Sequence, residues 1–410
     1  MDDTTETTET TETIEPALVE LLADLDTGPL VRKRLGLAGA LVLARVCKSL
    51  HKLVLDETTR ARNAWVVAKE DLMGHTEWGC VSFICADNAA RDGYLSMFVY
   101  LHDNGWLSDE YNAEYACLIA ARHGRLNCLQ YAHENGCPWN ECTCAEAAEN
   151  GHLDCLQYAH ENGCPWDEDV YLGAAEYGHL DCLQYANENG CPLDNVTCTH
   201  AAGTGHLDCL KYLHEHGCPL SNDITRYTAE NGHLDCLQYA HENGCPWDEL
   251  VCGRAAASGH LDCLQYAHEN GCPWDEYTSA SAAELGHLDC LQYAHENGCP
   301  WDEDTCSWAA EAGRLDCLQY AHENGCPWDS RTCSWAAESG HLDCLQYAHK
   351  NGCPWIKWTS LMAARHGHLD CLKYAVENGC PWDETTREAA GGNGHRDCLL
   401  YLRKNNCMGQ

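Results

Sequence analysis

Along most of this chain the apolar and polar positions follow one phrase that keeps returning. In Leu315-Asp-Cys-Leu-Gln-Tyr-Ala-His-Glu323 the apolar residues Leu315, Cys317, Leu318 and Ala321 fall on one helical face, and Asn324-Gly325 is a C-terminal signal. Upstream, Pro300 breaks any incoming helix. Asp302 is a good N-cap, and Glu303 and Asp304 favour the positive end of a helix running through Ala309-Ala310 to a stop at Gly313. The pattern predicts a helical hairpin. Two helices of roughly ten residues, about 15 Å long, cannot bury their apolar faces alone, so neighbouring copies must stack.

The copies are in strict phase. The lead glycine recurs at Gly124, Gly151, Gly178, Gly205, Gly232, Gly259, Gly286, Gly313, Gly340, Gly367 and Gly394, always 27 residues apart. Ala89 to Gly105 reads as a divergent first copy whose Gly93 stands 31 residues before Gly124. An all-α solenoid of about twelve helix-turn-helix repeats over 78–410 is therefore expected, preceded by a disordered acidic tail (1–13), a helical module (14–65) and a bridge (66–77).

In the helical module Leu43, Val46, Cys47, Leu50, Leu53 and Val54 recur at three- and four-residue steps, giving one apolar face suited to capping the open end of the array. The stretch Val46-Cys-Lys-Ser-Leu-His-Lys-Leu-Val54, after a Leu-rich helix and before Trp65, also resembles the C-terminal half of an F-box. That resemblance implies docking of this face on a Skp-type adaptor of a cullin ubiquitin ligase. The first half departs from the F-box pattern: Glu15-Pro-Ala-Leu-Val-Glu20 only approximates its opening, and 26–39 is irregular.

The repeat itself, Ala-Ala-x-x-Gly-His-Leu-Asp-x-Leu-x-Tyr-Ala-x-x-Asn-Gly, as at Ala364, is similar to the helical part of the ankyrin repeat over about 330 of the 410 residues. The period of 27 is shorter than the usual ankyrin length, and the Thr-Pro-Leu-His element is missing, so a Cys-Pro-Trp-Asp loop replaces the projecting finger. This form resembles ankyrin-like arrays of very large DNA viruses of amoebae and of some protists. The resemblance implies a protein-interaction protein: a substrate receptor if the F-box holds, otherwise a scaffold or a host-protein-binding decoy. A monomer is expected, in the cytoplasm (the host's, if viral) or the nucleus.

Charge narrows the partner. With 63 acidic against 25 basic residues the net charge is −38, and it is spread through the repeats. Nucleic-acid phosphates and anionic membranes call for a basic footprint and are not expected partners. No window approaches a membrane span, and 1–13 lacks the basic and apolar regions of a secretory signal.

The 32 cysteines are read as reduced. Cysteines four and thirteen residues after each glycine meet their equivalents in the next repeat at about the 8–10 Å spacing of packed helices, beyond disulfide reach. They are expected to act as small buried apolar residues.

Candidate chemistry is found by comparing the copies. The second helix scarcely varies, whereas the first varies at nine, five and one residues before the glycine. These are steps of four that share one face. Stacked, such faces would form a strip of roughly 100–120 Å. Tyr227, Arg254, Tyr277, Trp308, Arg331, Trp335 and Trp358 occupy it, residue types enriched at protein interfaces, and they are the candidate target-binding residues.

Trp139, Trp166, Trp247, Trp274, Trp301, Trp328, Trp355 and Trp382 vary only to Leu193 and Leu220, which suits apolar packing between repeats. A Cys/His metal array is a further alternative for these repeated residues. The spacing is not that of a zinc module, and the histidine nine after the glycine becomes Asn187, Val376 and Arg403 elsewhere. With no phosphate-cradling loop, nucleophile elbow or unique acid–base set, no enzyme, metal or cofactor is expected.

Overall fold

The computed structural model describes residues 110–405 as a continuous run, with Arg91, Leu95, Phe98, Val99 and His102 before it. The acidic tail, the helical module with Leu43, Val46, Cys47, Leu50, Leu53 and Val54, and the expected boundaries at 13, 65 and 77 lie outside the described residues. Within them the regular elements are 22 α-helices, pairing as helical hairpins about the lead glycines. The chain divides into two compact units, one of residues up to Gly173 with Gln184–Cys191, the other of Ala174–Leu183 with everything from Pro192 on. In each unit hairpin stacks on hairpin, first helix against first helix and second against second.

The Gly313 repeat shows why the sequence folds this way. Its first helix is Glu303–Glu311, and Asp302 caps it from an extended backbone, its Oδ1 accepting from the Asp304 amide at 3.0 Å. Asp248, Asp275, Asp329 and Asp383 do the same in their repeats. Ile356 stands at the equivalent place and supplies no side-chain cap.

Gly313 turns the chain with φ +70° into the second helix, Leu315–Glu323. It is glycine for a second reason. A Cβ there would lie 2.4 Å from Nδ1 of His341 in the next repeat, whereas a Cβ at Gly325, which has φ +88°, would meet nothing within 4 Å.

First helices pack through small residues. Ala309, Ala310, Ala336 and Ala337 are fully buried, and Ser307 and Thr332 share a hydrogen bond at 3.3 Å across one repeat junction. Second helices are held by Leu318, Cys317 and Ala321 inside and by rings outside. Trp328 stacks on His322 at 3.8 Å, the Tyr347 hydroxyl of the next repeat shares a hydrogen bond with His322 Nδ1 at 3.0 Å, and the Tyr347 ring meets Trp328 edge-on. The same triad stands in the first unit as His160, Trp166 and Tyr185. The repeated tryptophans and histidines are thus packing partners of one another.

The cysteines behave less simply than small apolar residues. Among the described residues the cysteines are buried free thiols, apart from exposed Cys142. From Cys164 to Cys380, those thirteen after the glycine are also hydrogen-bonded to a backbone carbonyl: Cys326 Sγ donates to that of Asp302 at 3.2 Å and Cys353 Sγ to that of Asp329 at 3.1 Å. A cysteine seven before the glycine meets the one thirteen after it in the same repeat. Cys198 Sγ lies 3.7 Å from the Cys218 carbonyl oxygen. The hydrogen bond to Cys326, with burial, pushes the Cys306 thiol far above the ordinary range, and burial pushes Cys317 up to about 12. The close sulfurs are therefore non-equivalent cysteines within a repeat.

Candidate protein-binding surface

The varied positions of the first helix carry most of the exposed bulk of the described chain. Of its nine exposed large hydrophobic residues, seven stand there: Tyr177, Val196, Tyr227, Leu250, Tyr277, Leu285 and Trp358; the others are Ile356 and Leu400. All seven belong to the second unit. In the first unit the corresponding positions hold Tyr115, Ile119 and His123, then Cys142, Glu146 and Asn150, then Asp169 and Gly173, with Ile119 fully buried and Glu146 ion-paired to Arg122.

The structure brings four of the candidate residues together over three successive repeats. The Tyr277 ring lies over Gly253 of the preceding repeat, where an added Cβ would sit 3.1 Å from the ring. It turns an edge to Trp308, with ring centres 6.1 Å apart at 82°. Asp304, one turn before Trp308, accepts from Arg331 Nη1 at 2.5 Å, and Asp329 accepts from Arg331 Nε at 2.8 Å. The Arg331 guanidinium carbon lies 5.6 Å from the centre of the Trp335 ring. Its hydrogen bond to Asp329 and the pull of both carboxylates hold Arg331 charged.

The remaining three candidates stand apart. Arg254 pairs with Glu230 at 2.6 Å. Tyr227 and Trp358, 47% and 48% exposed, make no ring or ion contact among the described residues. The strip is also less uniform than steps of four suggest. Ser281 and Met362, five before their glycines, are only 2% exposed, and Trp308 and Trp335 at the same position are half-buried. That position sits at the junction with the preceding first helix, so a small or flexible side chain turns inward while an indole emerges.

A further element of the surface stands two before the glycine, where an acid recurs in six of eleven repeats and Arg122, Gly203, Ala257, Arg365 and Gly392 replace it in the others. Glu284, Glu311 and Glu338 stand two before their glycines in three consecutive repeats. Each indole lies three residues before its glutamate, on the same helical face. Burial and the charges of Glu338 and Glu284 raise the Glu311 carboxyl above its usual range. The recurrence of an acid at one fixed offset was the available signal.

Among the described residues no three metal-binding side chains come together, and no helix is long and apolar enough to cross a membrane. No protein-family model matches the sequence, and no curated protein matches it. Among solved structures, the chain is similar to the crystal structure of the human ASB11 ankyrin repeat domain at 19% identity, covering 38% of this chain and 84% of that one, with a TM-score of 0.34. At that score the likeness carries nothing that follows.

Proposed function

We propose that this chain is a non-enzymatic protein-recognition protein whose second helices build the stack and whose varied first-helix face holds the target. One observation carries this reading: exposed aromatic and aliphatic bulk concentrates at the positions that differ from repeat to repeat. Solvent-facing drift has no reason to select Tyr, Trp, Leu and Val, whereas interfaces are enriched in large aromatic anchors. The target-contacting residues are Tyr227, Arg254, Tyr277, Trp308, Arg331, Trp335 and Trp358.

The test is a selection of random peptides, displayed on phage, against the full chain. Peptides that bind should lose at least about tenfold in affinity when Trp308→Ala and Trp335→Ala are combined, as expected for interface anchors. Helical circular dichroism should be unchanged. Undiminished binding to the double variant would sink the assignment.

A second reading rests on the sequence resemblance of Val46 to Val54. If 14–65 docks on a Skp-type adaptor, the array is the substrate receptor of a cullin ubiquitin ligase; if not, the protein is a scaffold or decoy. Co-purification with the adaptor, abolished by deleting 14–65, supports the first. Failure to co-purify leaves the second.

A further inference from the structure

We infer that Trp308, with the carboxylates of Glu284 and Glu311, receives a guanidinium or ammonium group from an arginine- or lysine-rich segment of the target. The inference rests on the reading that this face binds protein, and it adds the chemistry of what is bound.

On the varied face the chain displays a ring and carboxylates with their cation in place. One repeat further on, the Arg331 guanidinium lies over the Trp335 ring and is held by Asp304 and Asp329. Around Trp308 the ring and the carboxylates are present without a cation. Trp308 is half-buried, is fixed by the edge of Tyr277, and shares its helical face with Glu311. The position four before it, where Arg331 precedes Trp335, is occupied by Asp304.

Neither Glu284 nor Glu311 has a cationic partner within salt-bridge distance among the described residues. Arg314 approaches Glu284, but it donates to the backbone carbonyl, at 3.2 Å, and leaves the carboxylate unpaired. Glu338, next in the row, faces His366 at 3.4 Å, a partner only when that histidine is protonated. Burial, and after it the repulsion of Glu338 and Glu284, raises the Glu311 carboxyl. A bound cation would relieve that repulsion while its flat or tetrahedral head meets the indole. The net charge of −38 would draw such a segment towards the protein before contact.

The probe is a labelled peptide of alternating arginine and glycine, compared with the same peptide carrying neutral citrulline, on the full chain at near-physiological salt. The arginine peptide should bind. Its affinity should fall about tenfold with Trp308→Ala and with the pair Glu284→Gln and Glu311→Gln, as a partly desolvated cation–ring contact and two charges require. The pair Glu269→Gln and Glu296→Gln, exposed at the ends of second helices, removes the same charge elsewhere and should cost less than about twofold if only the general field is weakened.

Equal losses from both pairs, or binding no better than that of the citrulline peptide, would overturn the inference. The glutamine variants keep the fold, so a folding failure of Trp308→Ala cannot hide the result. Random peptides that map to the Trp308–Trp335 face but carry no excess of Arg or Lys would sink this inference alone. Peptides indifferent to that face would sink the underlying reading.

Discussion

The two helices of each repeat solve different problems with different side chains. First helices of the second unit meet through Ala, Ser, Thr and Cys, so their backbones approach closely and little room remains between them. Second helices are kept further apart by indole, imidazole and phenol rings that stack and share hydrogen bonds across each junction. The near-identical phrase belongs to the second helix because every ring there needs the matching ring of the next repeat. Only on the first helix, whose outer face touches no equivalent ring system, can residues change freely, and there the exposed anchors collect.

The contrast can be broken by removing what the second helices bury. Leu318→Ala, at a fully buried position, should cost about 2–5 kcal/mol of stability, seen as a fall in the urea midpoint. A pair of glycines separates turn strain from repeat packing. Alanine at Gly313 or Gly325 pays the left-handed backbone cost of about 1–2 kcal/mol, but only at Gly313 does the new methyl strike His341. Gly313→Ala should therefore be clearly the more destabilising; equal midpoints would mean that the close contact with His341 is not part of the packing.

A pair of tryptophans sharpens the same division. Trp328→Ala removes a ring stack and an edge contact and should lose about 0.5–1.5 kcal/mol beyond its buried area. Trp358→Ala removes a ring with no such contacts and should change stability by less than about 0.5 kcal/mol. Denaturant melts of the two variants side by side decide this.

The smallest effect is expected from pH. Burial holds His233, His349 and His368 below the ordinary imidazole range. The unfolded chain then binds more protons, so stability is full above about pH 6.5 and falls as pH drops through the lowered folded values. These rings are only partly buried, so the shift of the thermal midpoint between about pH 7.5 and 5.5 should be modest and downward. A midpoint that rose over that window would contradict the assigned direction.

Much of this was legible in the residues. Asp302 as cap, Gly313 as stop and Leu315, Cys317, Leu318 and Ala321 as one buried face follow from rules that act within a few residues. What escaped depends on atoms brought from another repeat or from the far end of the same one. Nothing local to Gly313 announces His341, and nothing near Cys306 announces Cys326.

The cysteine seven before the glycine was easily passed over because Thr225, Ser279 and Ser360 stand there in other copies. Two of these donate to the loop in its place, Thr225 to the Pro246 carbonyl and Ser360 to that of Pro381. Periodicity placed Ser281 and Met362 on the outer strip. The neighbouring first helix, invisible to periodicity, covers them.

The claim that the varied face, and no other part of the repeat, sets what is bound is met most directly by an exchange that preserves composition and charge. Tyr277→Arg is combined with Arg331→Tyr, and random peptides are selected in parallel on the original and the exchanged full chains. The account predicts two distinct sets of peptides from proteins with the same helical content and cooperative melting. Recovery of one common set would contradict it.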